Sequence, residues 1–172
     1  MKRLLLLAAL STLASPVVAQ NCQTPNGANG TCSLNVASSL TIPTVIRLSI
    51  DDTTTSLTTP TEANFNSGSS SSTGPSITIQ SNSPWTLYIR AGAATWTGVG
   101  AGARANKPAG DLGWNTTGGA SYTAMTTIDA VVKSGTRTAS NITQIYYQVN
   151  WSWPLDTPGT YSLVVQYTVT SP

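Results

Sequence analysis

Two segments near the end of the chain alternate so strictly that they leave little choice of secondary structure. In TQIYYQVNWSW the apolar side is Ile145, Tyr147, Val149, Trp151 and Trp153, against Gln144, Tyr146, Gln148, Asn150 and Ser152. In TYSLVVQYTVT the apolar side is Tyr161, Leu163, Val165, Tyr167 and Val169. Successive side chains of a strand point to opposite faces, so each segment predicts a strand with one buried row and one solvated row. Extrapolated to its end, the first row places Trp151 and Trp153 in the core. PLDTPG between the segments supplies turn chemistry through Pro154, Pro158 and Gly159, and the two strands pair as a hairpin or cross between sheets.

The same period recurs upstream. CSLNV alternates Cys32, Leu34 and Val36, and LTIPTVIRLSI continues with Leu40, Ile42, Ile46, Leu48 and Ile50, with Pro43 marking an edge or a break. In SITIQSNSPWTLYIRA, Ile77 and Ile79 share one face and Trp85, Leu87 and Ile89 the next; SNSP is a hairpin turn or a bend. A further strand is expected in Ala124–Val132, with a short helix as its rival. The polar stretch DDTTTSLTTPTEANFNSGSSSSTGP reads as a long flexible surface loop, with at most a short edge strand at Thr55–Leu57. Residues 91–120 are glycine-rich and carry Trp96 and Trp114 in weak alternation. Six to eight short strands with Pro/Gly turns and no persuasive helix predict an all-β fold. The expected arrangement is a single antiparallel β-sandwich with long polar loops, and a closed barrel is the alternative.

The first residues carry a different pattern. MKRLLLLAALSTLASPVVAQ has a basic start, a short apolar run and small residues at Val17 and Ala19, the build of a secretory signal peptide ending at Ala19. The expected domains are therefore 1–19, signal peptide, and 20–172, sandwich, with no transmembrane segment after removal of the signal. Lys2 and Arg3 leave with the leader, so the remaining chain balances six basic against six acidic residues. So few charges offer no stripe for nucleic acid. Export makes Cys22 and Cys32 a disulfide, whose short loop is worth about 2–3 kcal/mol.

Catalytic chemistry is hard to assemble from this composition. No histidine is present, which removes the usual general base and the commonest metal ligand. Asp51 and Asp52 are adjacent and would face apart in a strand; Glu62, Asp111, Asp129 and Asp156 are scattered. GVGAGARANKPAG lacks the order of a phosphate loop. The expectation is a chain that is not an enzyme, with no catalytic residue, metal or cofactor. Trp96, Trp114 and Tyr122, in or beside the glycine-rich loops, are the candidate contacts for a sugar or a protein partner; the rival reading has them plugging the ends of the sandwich. N-x-[ST] triplets occur at Asn29, Asn115, Asn141 and Asn150 and gain meaning only in a glycosylating host.

The closing PGTYSLVVQYTVTSP, through Gly159, Tyr161, Val165, Tyr167, Thr168 and Val169, resembles the last strand of secreted bacterial β-sandwich proteins, the spore coat protein U-like and related fimbrial subunits. The close Cys22–Cys32 pair departs from the usual placement of a pilin disulfide. Trp85–Leu87 and Trp153–Leu155 also match the spacing in W-x-L cell-wall-binding domains. These resemblances imply an immunoglobulin-like or pilin-like sandwich, exported, surface-located and non-enzymatic, and carry over no site residue. The function expected is a structural or adhesive component of the bacterial cell surface or an extracellular filament, secreted or periplasmic. Its partners would be copies of itself or other surface proteins. The alternative is a small carbohydrate-binding module that takes polysaccharide on its loop aromatics.

Overall fold

The computed structural model describes Cys22, residues 31–119 and residues 121–172. The expected signal peptide lies outside the described residues. The chain divides into two compact units, Met1–Ile42 and Pro43–Pro172. In the first, Cys22 and Cys32 form a disulfide with Cα atoms 5.9 Å apart. Residues 31–42 form no regular structure, and Leu34, Val36, Leu40 and Ile42 are exposed. The strands expected there are absent because a strand exists only by pairing, and nothing in this segment is paired.

All regular elements among the described residues lie in the second unit. Its strands are β1 (Ile46–Ile50), β2 (Ser69–Ser81), β3 (Trp85–Ala91), β4 (Thr97–Val99), β5 (Leu112–Asn115) and β6 (Thr123–Ala124). They continue with β7 (Ala130–Gly135), β8 (Thr138–Asn150), β9 (Thr160–Ser162) and β10 (Val165–Thr170), and one short helix, α1 (Glu62–Ser67), precedes β2. A five-stranded sheet has the order β1-β2-β8-β5-β6, a three-stranded sheet β10-β3-β7, and β4 pairs β9 alone. Every pairing is antiparallel. The result is an all-β protein whose antiparallel sheets pack together in a sandwich-like arrangement.

The core is built by the alternating rows. Ile77 and Ile79 of β2, Leu87 and Ile89 of β3, and Ile145, Tyr147 and Val149 of β8 are buried in one cluster with Trp85. Val165, Tyr167 and Val169 of β10 pack against it half-buried, while Gln166, Thr168 and Thr170 face solvent. The two closing segments therefore cross between sheets: β8 belongs to the five-stranded sheet and β10 to the three-stranded one. SNSP does the same between β2 and β3, being neither a hairpin turn nor a bend within one strand.

The polar stretch before β2 is more ordered than its composition predicts, and Thr55–Leu57 is not a strand. Thr61 and Asn64 form a reciprocal capping box that starts α1, and Gly68, at φ 78°, ends it. The serine run is the first half of β2, paired with β8 from Ser69↔Asn150 to Thr73↔Tyr146. At the end of that run Gly74 is required small because Tyr147 lies against it: a Cβ there would come within 2.7 Å of the ring. The expected strand over Ala124–Val132 is split into β6 and β7.

Since these sheets all lie beyond residue 42, reducing the disulfide should leave the fold standing. The expected result is an unchanged β-type circular dichroism spectrum under reductant at room temperature; collapse of that spectrum would contradict the assignment of the core to residues 43–172.

Candidate functional site

Trp96 and Trp114 are both only 7% exposed, and Trp96 is among the residues that line the cleft along β10. Trp96 donates its indole N–H to the Pro108 carbonyl at 3.1 Å, and Trp114 stands on β5 opposite Tyr147 of β8. The reading in which they close the sandwich is the one their burial supports. Tyr122 is half-buried against Gly113.

The row that starts at Ile145 also ends earlier than its pattern. The ladder of β8 stops at Asn150, and Trp151 N–H turns to the Gly68 carbonyl at 2.8 Å. Trp151 remains half-buried, with its indole N–H on Ser70 Oγ at 2.8 Å. Trp153 is 59% exposed, which corrects its placement in the core. The cause is a tight turn: Leu155 and Asp156 N–H both donate to the Ser152 carbonyl, and Ser152 N–H donates back to Asp156 Oδ2 at 2.8 Å. Once the backbone leaves the extended conformation, period 2 no longer assigns faces. The exposed Trp153 ring rests on Phe65 of α1, centroids 4.8 Å apart, and Phe65 in turn lies 5.8 Å from Trp151.

Beneath these rings is an ion cluster that no local pattern announces. Lys107 is fully buried, and its Nζ donates to Asp156 Oδ1 at 2.7 Å, Asp111 Oδ2 at 3.1 Å and the Asn150 carbonyl at 3.2 Å. Arg104 bridges the same two carboxylates at 3.0 and 3.3 Å. The Trp151 ring covers the ammonium at 4.9 Å, a favourable cation–π position. The cluster ties the 104–111 loop to the turn after β8. Burial pushes the Asp156 carboxyl upward, but Lys107, the Ser152 N–H and Arg104 together outweigh it and hold it below its usual range. Lys107 and Asp156 stand 49 residues apart, and GVGAGARANKPAG reads as plain loop, so only the fold brings the partners together.

A cleft of about 770 Å³ opens along β9 and β10, with residues 52–60 forming part of its wall. Its walls include Leu57, Leu112, Tyr147, Val149, Leu163, Val165 and Tyr167. At its floor the hydroxyls of Tyr147 and Tyr167 are hydrogen-bonded. Burial raises both phenols above their usual range, and the Tyr147 charge and hydrogen bond raise Tyr167 further. Asp51 accepts from the Ser76 N–H and Asp52 from the Thr54 N–H, and among the described residues no three acidic or cysteine side chains group as metal ligands. Nor is any helix among them long and apolar enough to cross a membrane. No family model matches the chain, and a search of curated proteins finds no match.

The two indoles should separate on truncation. Trp151→Ala is expected to cost about 3 kcal/mol or more in denaturant unfolding, and Trp153→Ala less than about 1 kcal/mol; equal losses would contradict the turn. Asp156 has a folded pKa below its unfolded one, so its contribution is present above the unfolded value and lost as pH falls through the folded value. Stability should decline below about pH 4. Asp156→Asn should cost about 3–5 kcal/mol at neutral pH and flatten that acid slope; an unchanged slope would remove Asp156 from the account.

Proposed function

We propose that the chain is an exported structural or adhesive component of the bacterial cell surface or of an extracellular filament, and that copies join by strand addition at β10. The observation that carries this reading is the free edge of β10 along the cleft. Among the described residues β10 pairs only with β3, so its other side presents unpaired backbone groups. Its inward side chains, Val165, Tyr167 and Val169, are only half-buried. On this reading the sandwich is pilin-like, with one strand position left for a partner.

A complementary segment exists in the chain itself. From Leu34 to Ile42 the even positions are Leu34, Val36, Ser38, Leu40 and Ile42, and the odd ones Asn35, Ala37, Ser39 and Thr41. Four large apolar side chains on one face are thus exposed and unpaired. Supplied by another copy, this segment could place its apolar row in the cleft and its backbone on β10. Burying each such side chain is worth about 1.5–3 kcal/mol, before the ordering of the segment is subtracted. Pro43, which cannot donate to a ladder, would end the added strand.

Sedimentation of the purified protein should show concentration-dependent multimers. A variant carrying Leu34→Lys, Val36→Lys, Leu40→Lys and Ile42→Lys should remain monomeric with an unaltered circular dichroism spectrum. A monomeric parent, or a variant that assembles as well as the parent, would refute the proposal.

A further inference from the structure

Trp153 is held in solvent by more structure than a chance exposed side chain receives. Its indole N–H donates to Asn66 Oδ1 at 3.1 Å, and the ring rests on Phe65, tilted by 34°. Phe65 and Asn66 lie on α1, which the capping box and Gly68 fix at both ends. From the other side, Trp153 sits in the turn closed by Ser152 and Asp156, and Asp156 is itself fixed by Lys107 and Arg104. Two segments more than 80 residues apart thus converge to set one indole in a single orientation. A ring ordered in advance binds without further loss of side-chain freedom.

We propose that Trp153, backed by Phe65 and flanked by Asn66, is a stacking platform for the C–H face of a neutral hexopyranose in a polysaccharide. The size of the exposed surface selects among ligands. One tryptophan offers at most about 250 Å², whereas a stable protein interface needs roughly 800 Å² from each partner. A single sugar ring matches one indole. Charge selects further. The side chains that hold the ring, Phe65 and Asn66, are uncharged, and the turn's one carboxylate, Asp156, is 3% exposed and occupied by cations, while the one charge on α1 is Glu62 in its first turn. Asn66 uses its carboxamide oxygen on the indole, which leaves the amide N–H groups to donate to a sugar hydroxyl. This platform is separate from Trp96, Trp114 and Tyr122, and it does not depend on assembly through β10.

The test is isothermal titration calorimetry of the purified protein with cellohexaose, laminarihexaose, mannohexaose and xylohexaose. Saturable binding of at least one hexose oligomer is expected, weakened about tenfold or more in Trp153→Ala and largely kept in Trp153→Phe. Both substitutions are at an exposed position, and an unchanged circular dichroism spectrum verifies folding. Absence of binding to all four sugars, binding of xylohexaose alone, or equal affinity in Trp153→Ala would overturn the assignment.

Discussion

The facing rows of Ile77, Ile79, Ile145, Tyr147 and Val149 on one sheet and Leu87 and Ile89 on the other are the contact on which the remaining structure depends. Ile77, Ile79, Leu87 and Ile145 are wholly removed from water, and each contributes about 1.5–3 kcal/mol. They sit mainly on β2 and β8, two thirteen-residue strands paired along most of their length. Every other element is placed relative to that pair. The sheets are unequal, five strands against three, and the narrower one ends at β10, along which the cleft opens.

At the end of the sandwich where β2 begins and β8 finishes, the apolar rows give way to a different device. Lys107, Arg104, Asp111 and Asp156 replace apolar packing with a closed set of charges, with Trp151 over the ammonium. Such a set is costly when broken rather than strongly stabilising when whole, and its evident structural effect is positional. Asp156 shares its two oxygens between the cations and the turn that carries Trp153. The buried charges and the exposed indole are therefore parts of one construction.

The sequence reveals the strands more readily than it reveals their ends. Ile145–Val149, Leu87–Ile89 and Val165–Val169 obey period 2 because each is extended backbone with one face on the core. Residues Cys32–Ile42 obey it too, yet stay unpaired, since alternation records what a segment can bury and not whether a partner is present. Trp153 departs from the row because beyond Asn150 Asp156 closes a turn that alternation does not encode. The serine run hides the first half of β2 because its composition carries no apolar row, although it pairs with β8 from Ser69↔Asn150 to Thr73↔Tyr146. The ion cluster lacked any signal, as its members come from two loops joined only in the fold. The Cys22–Cys32 disulfide is legible from the close spacing of the chain's two cysteines, while the glycine-rich context of Trp96 and Trp114 gives no sign of their burial by the tertiary structure.

Hydrogen exchange with mass spectrometry, compared between dilute protein and its concentrated form, addresses the open edge of the narrower sheet most directly. The account predicts that amides in Val165–Thr170 and in Ser33–Ile42 gain protection together on concentration, while those of β2 and β8 are slow in both. Protection that appears elsewhere, or β10 amides already as slow as those of β8 in the dilute protein, would contradict it.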